Sequence, residues 1–222
     1  MLIDRSAIAD KAYSGTVTPL YSIVPPSLPG ANEAFKTAYG DSPDVAGAKK
    51  VLSAAGIQTP VDITLGYTPT HYGPNSVDDA TEFQRELETS GLFKVTLKSA
   101  EWTQYQDLEK QGAYDLFEMG WFPDYVDADN YLAGFMVDGG WFANNYKSAL
   151  ADKLVNAERA TTDQSKRQKT FGQLQDLAAK DVPFIPNWVG KNIAVYGAGV
   201  SGVEDTLDPS FIFRMWAITY NP

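Results

Sequence analysis

Three carboxylates, Asp124, Asp127 and Asp129, lie close together in GWFPDYVDADNYL (residues 120–132), behind an indole at Trp121 and a proline-stiffened turn at Pro123. Such side chains can bind a divalent cation, carry out hydrolysis with paired carboxylates, or set an anionic anchor beside an aromatic wall for a cationic ligand group. The spacing departs from the Asp-x-Asp/Asn-x-Asp/Asn-Gly loop and no glutamate stands at the bidentate offset, which argues against the cation. One of Asp127 and Asp129 is expected instead to cap the helix carrying Tyr131 and Leu132. No further acid is placed by sequence to complete a hydrolase site. The residues leave two equal readings of Asp124, a ligand anchor and an ordinary solvated loop carboxylate.

Other candidates are weaker. His71, the one histidine, sits in a polar loop beside Gly73 and Pro74, and no Gly-x-Ser-x-Gly elbow offers it a serine, so a solvated loop histidine is expected. Gly197, Gly199 and Gly202 in GAGVSG match the dinucleotide fingerprint formally, but VEDTLDPS follows, and Pro209 with its turn formers precludes the helix a pyrophosphate would need. The chain has no cysteine, which excludes thiol catalysis, disulfides and cysteine zinc sites. A formal net charge of -10 disfavours nucleic acid and anionic membrane surfaces. Aromatic residues make up 13% of the chain, including five Trp and twelve Tyr, which leans towards binding.

The elements that position these residues follow from apolar spacing. With 222 residues, 44% of them hydrophobic, the chain can bury a core of its own. Helices are expected from about Asp4 to Tyr13 with Gly15 beyond, over DVAGAKKVLSAAG with Asp44 as cap and Val45, Ala48, Leu52 and Ala55 as its stripe, from Val77 to Ser90, and from Trp102 to Gln111. PLYSIVPPSLPG holds too many prolines for a helix and reads as an extended stretch entering a loop. VDITLGYT and LFKVTLKS alternate as strands, and AYDLFEMGWF, apolar on both faces, is expected to be a central strand. Strands separated by helices of this length indicate βαβ crossovers and a mainly parallel sheet, with ligands bound at the carboxyl ends of the strands. Two more helices are expected, Ser148–Ala160 and Gln164–Lys180, before a tail from Val182 that loses helical period and reads as extended segments joined by Gly turns.

Several pieces together resemble the C-terminal lobe of the family 5 extracellular solute-binding proteins, the peptide and nickel receptors of ABC importers. They are IDRSAIADKAYSG, PLYSIVPPSLPG, DVAGAKKVLSAAG, the Glu-Trp of KSAEWTQY, YDLFEMGWFPDYVDADNYL and RQKTFGQLQDLAAKDVPFIPNW, in family order over almost the full length. The resemblance implies an α/β fold of periplasmic-binding-protein type, with residues 1–185 as the C-terminal ligand-binding lobe and residues 186–222 as an extended segment returning to an N-terminal lobe. It implies that the chain is a fragment of a longer, exported receptor, periplasmic or lipid-anchored on the outer face of the cell membrane, working as a monomer with ABC permease subunits, without cofactor or catalysis. In peptide-binding members the aspartate of a Trp-x-x-Asp motif pairs with the ligand's free α-amino group and the tryptophan lines the pocket. Those positions match Asp124 and Trp121, with Tyr125, Trp102, Trp141 and Phe142 as further pocket candidates. Asp127-Ala128 stands where the family more often has Asp-Pro, a departure that bears on helix entry more than on the anchor. A peptide with a free N-terminus is favoured over a nickel chelate or an oligosaccharide. A carboxylate-dependent hydrolase and an interaction domain with an aromatic surface are the competing classes.

Overall fold

The structure, a computed structural model, describes residues 1–142, 144–208 and 213–222. Asp4 caps α1 (Arg5–Lys11) by accepting from the N–H groups of Ser6 and Ala7, and Gly15 turns the chain with φ of 74° into β1 (Val17–Pro19). The proline-rich loop follows, then α2 (Ala34–Tyr39) and α3 (Val45–Ala54), the latter capped by Asp44 as expected. Only Ala48 and Leu52 of the α3 stripe turn inward; Val45 and Ala55 are exposed.

The next stretch alternates as the sequence indicates: β2 (Val61–Tyr67), α4 (Ser76–Thr89), β3 (Phe93–Ser99), α5 (Trp102–Lys110) and β4 (Leu116–Phe117). Both ladders of this three-stranded sheet are parallel, with order β3-β2-β4. The first strand is therefore the central one. AYDLFEMGWF contributes a two-residue edge ladder, which corrects its expected place at the centre. Its apolar character on both faces has another cause: Leu116 joins the core under the sheet, while Phe117 faces the aromatic side chain of Phe142 with ring centroids 5.2 Å apart. Tyr114 lies against Gly66 of the central strand, where a Cβ would come within 2.5 Å of the ring.

Then come α6 (Ala128–Met136), α7 (Ala149–Arg159) and α8 (Gln164–Asp181), followed by β5 (Trp188–Gly190), which pairs antiparallel with β1. Beyond it, β6 (Val200–Ser201) and β7 (Thr219–Tyr220) pair with each other. The Gly-x-Gly stretch leads into β6 and a 3-10 turn at Glu204–Thr206, and among the described residues no α-helix follows to hold a pyrophosphate. Pro209, invoked above against such a helix, lies outside the described residues.

Apolar side chains collect in two clusters. One lies under the sheet and joins Ile8, Tyr13, Leu65, Leu87 and Val95; the other joins Val24, Phe35, Leu132, Met136, Phe171 and Leu174 between the proline-rich loop and helices α2, α6, α7 and α8. In the second, the buried amide of Gln175 staples the loop to α8: Nε2 donates to the carbonyls of Gly30 (2.7 Å) and Phe171 (2.9 Å), and Oε1 accepts from Ser22 and from the Asn32 N–H. Helix α2 is an addition to the sequence reading. Six residues are too few for a periodic signal, and its packing accounts for it: Phe35 against Phe184, and Tyr39 Oη donating to the Ala179 carbonyl at 2.6 Å.

Candidate functional site

All three parallel strands deliver their following loops to one edge. Past β2 come His71 and Tyr72, past β3 comes Trp102 at the start of α5, and past β4 comes the loop holding Trp121 and Asp124. Open α/β sheets bind ligands at this edge.

Asn130 organises the loop after β4. Its buried Oδ1 accepts from the Trp121 indole N–H at 2.7 Å and from the Asp124 backbone N–H at 3.3 Å, so one amide oxygen fixes both the aromatic wall and the turn that presents the carboxylate. Asn130 was not anticipated from the sequence. The available signal was a lone amide on a short helix otherwise built from Tyr131, Leu132, Ala133, Phe135 and Met136.

The aromatic candidates fall into two groups. Trp121 and Phe142 both pack on Phe135, Trp121 edge-on at 5.3 Å and Phe142 at 4.8 Å, and Trp141 joins the group through Trp121, its ring tilted 5.0 Å away. Trp141 keeps half of its surface exposed. Trp102 belongs to a second group, stacked on His71 at 3.8 Å with an interplanar angle of 2° and crossed edge-on by Tyr72. Tyr72 links this group to the loop by donating to the Gly120 carbonyl at 3.3 Å and approaching Phe122, and Gly120 admits its ring where a Cβ would meet it at 2.8 Å. His71 is solvent-exposed, as expected, yet its ring covers one face of Trp102.

Tyr125 points elsewhere. Its hydroxyl donates to Asp129 Oδ2 at 2.5 Å, in a charged cleft formed by the start of α6, the end of α7 and the start of α8. Asp127 is the cap of α6, accepting from the Asp129 N–H, and takes both Nη atoms of Arg167 at 2.8 and 2.9 Å. Asp129 accepts from Arg159 Nε at 3.1 Å. Burial pushes both carboxyls up, but hydrogen bonds outweigh it, from Arg167 for Asp127 and from Glu158, Tyr125 and Arg159 for Asp129, so both stay below the usual carboxylate range. Asp124 differs from its two neighbours. Its carboxylate is exposed and has no ion pair or hydrogen bond among the described residues.

This arrangement has known relatives. Residues 1–143 match the family described as bacterial extracellular solute-binding proteins, family 5 Middle. The chain belongs to family 5 of these proteins. Di/tripeptide-binding protein 1 of Pseudomonas aeruginosa is 32% identical over 193 residues, covering 84% of this chain and 35% of that protein. The periplasmic oligopeptide-binding protein OppA of Haemophilus influenzae is 26% identical over 226 residues, covering 98% of this chain and 41% of its own length. The chain thus spans well under half the length of these curated family 5 relatives. The crystal structure of a dipeptide binding protein from Pseudoalteromonas sp. SM9913 in complex with Met-Leu superposes with a TM-score of 0.83 at 23% identity, over 99% of this chain and 43% of that one. The α/β fold with its flanked parallel sheet is that of the periplasmic binding proteins.

Proposed function

We propose that this chain forms the anchor-bearing part of a receptor that captures peptides with a free N-terminus outside the cytoplasmic membrane and delivers them to an ABC permease, without chemistry. The observation that carries the reading is the contrast among three clustered carboxylates. Asp127 and Asp129 are neutralised by arginines, whereas Asp124 stands exposed and unpaired on a turn held by Asn130, beside Trp121. An ammonium group meeting that carboxylate would form a charge-assisted hydrogen bond, strengthened once a second lobe excludes water from it. The names of the relatives, which concern di-, tri- and oligopeptides, support the ligand class.

The tail supports a covering body. Ile193 (68% exposed), Val195 (95%) and Trp216 (78%) lie open to solvent, a distribution suited to contact with another lobe. Trp141 and Phe142 would then face the ligand from the Trp121 side and Trp102 from the Tyr72 side. The receptor acts as a monomer in the periplasm or on a lipid anchor.

The test is calorimetry on the intact protein that carries this chain, using peptides identified by native mass spectrometry as co-purifying, with free and with acetylated N-termini. Acetylation, or Asp124→Asn, should weaken binding on the order of 100-fold, the consequence of losing about 3 kcal/mol when one partner of an enclosed charge pair is removed. Unchanged affinity, or a nickel chelate or oligosaccharide as the co-purifying molecule, would overturn the assignment.

A further inference from the structure

In the cleft that Tyr125, Asp127 and Asp129 line, the end of α7 contributes Glu158, whose side chain is 1% exposed. Its Oε2 accepts from Arg167 Nε at 3.1 Å and from Nη2 at 2.9 Å. Oε1 is buried and has no hydrogen-bond partner among the described residues. Arg159 Nε lies 3.1 Å from Asp129 Oδ1 and 3.8 Å from Glu158 Oε1, so the two carboxyls flank one guanidinium nitrogen, and carboxyls brought together in this way are relieved by a proton on one of them. The groups facing Glu158 are Asp127, Asp129 and Tyr125 from the loop and α6, Arg167 from α8, and Arg159 from its own helix.

With Glu158 protonated, two carboxylates meet two guanidinium groups and the cluster is neutral. Ionising Glu158 adds a third carboxylate against the same two cations and removes the proton from the Asp129 contact. The cluster grips the loop at two points, through Tyr125 Oη on Asp129 and through Arg167 on the helix cap Asp127. Tyr125 is the residue directly after Asp124.

We propose that Glu158 is a positioning residue for Asp124: its buried carboxyl donates to Asp129 and, with Arg167, holds the loop that presents the anchor, so that ligand affinity answers to a proton held in that cleft. This rests on Asp124 being the anchor. Burial, reinforced by the Asp129 carboxylate, raises the Glu158 carboxyl to about 7 against the pull of Arg167. The proton therefore comes and goes near neutrality, through a cleft open to solvent.

The test separates loop from ligand. In the intact protein labelled with 15N at tryptophan, the Trp121 indole resonance, assigned with Trp121→Phe, should titrate with a midpoint near 7. It should be flat in Glu158→Gln, whose amide donates to Asp129 at every pH. In Arg167→Lys, which exchanges the fork for a point charge, the midpoint should rise. Met-Leu or the co-purifying peptide should bind about tenfold more weakly at pH 8 than at pH 6, the effect of one lost charge-assisted hydrogen bond, with Glu158→Gln abolishing the difference. A Trp121 resonance that does not titrate, or that titrates alike in wild type and Glu158→Gln, overturns the inference even if Asp124→Asn abolishes binding. A titration lost in Glu158→Gln, together with affinity insensitive to Asp124→Asn, would leave the loop coupling intact and remove the anchor.

Discussion

The body under the sheet and the body built on α6, α7 and α8 each bury a pair of carboxyl groups, and they compensate them in opposite ways. On the sheet side, Asp79 accepts from Tyr13 Oη at 2.8 Å, from Trp188 Nε1 at 2.7 Å and from Asn187 Nδ2 at 3.5 Å, with Glu118 as its acidic neighbour. Every one of those donors is neutral. Burial and the adjacent Asp79 drive Glu118 well above the carboxylate range, so its proton stays in place. On the helix side the pair of Asp129 and Glu158 is served by two arginines, and the proton is held near the neutral point. A pair of neighbouring acids is thus a fixed joint in one half and a titratable one in the other, and the cation supply decides which.

The comparison can be broken at its root by asking whether the halves melt as one. Leu132→Ala, at a site with no exposure in the helix-side cluster, should cost about 3 kcal/mol, and Leu65→Ala on the central strand a similar amount. Denaturant unfolding followed by tryptophan fluorescence and by circular dichroism should show one shared transition shifted in both variants; two separated midpoints would make the halves independent. Next in size is an asymmetry within the sheet-side pair. Asp79→Asn, which removes the charge that three donors converge on, should lose about 2 kcal/mol, whereas Glu118→Gln should change stability by less than about 0.5 kcal/mol because a glutamine amide donates as the protonated carboxyl does. Equal losses in the two variants would show that Glu118 is ionised.

A smaller effect tests the helix side by pH. Glu158 is raised to about 7 by burial and Asp129, and Glu86 on α4 is raised to about 7 chiefly by burial. Each group binds its proton more tightly folded than unfolded, so the folded state is favoured at low pH, and that advantage is lost as pH rises from the ordinary glutamate range through about 7. Thermal midpoints between pH 4 and 8 should fall less steeply in Glu158→Gln and in Glu86→Gln than in wild type, while only the former alters the Trp121 resonance. A wild-type slope retained in both would sink the assignment of these protons. The smallest loss expected is at the helix caps, one in each half, Glu118→Gln being nearly neutral: Asp44→Ala and Ser148→Ala should each cost about 1 kcal/mol in the same melts.

The sequence made the sheet side more legible than the helix side. Ile63, Leu65 and Tyr67 alternate on a strand that is central, and Asp44 caps the helix it precedes, as its position indicated. The apolar run around Leu116 misled because two different surfaces, a core and an aromatic site, make the same demand on composition as burial between two layers. Helix α2 was invisible because tertiary contacts rather than periodicity hold it. At the site, type and spacing left Asp124 open between an anchor and a solvated carboxylate, and the motif reading of Trp121 and Asp124 came with the family resemblance; the need for a cap at Asp127 or Asp129 could be read from the residues themselves. Asn130, Glu158 and Arg167 could not, since their work depends on which helices meet beside the loop, and no spacing within 120–132 encodes a partner at 158 or 167.

Asp79 also has a mechanical side. Trp188 and Asn187 of the β5 region end on this one carboxylate, Arg5 Nε grips the Pro186 carbonyl at 2.7 Å, and the strand pairs with β1, while residues 191–199 beyond it have no regular secondary structure. A load applied to the tail therefore meets a riveted strand followed by pliable chain. On this geometry a pull on the tail is expected to bend the chain past Gly190 before it peels β5 from β1.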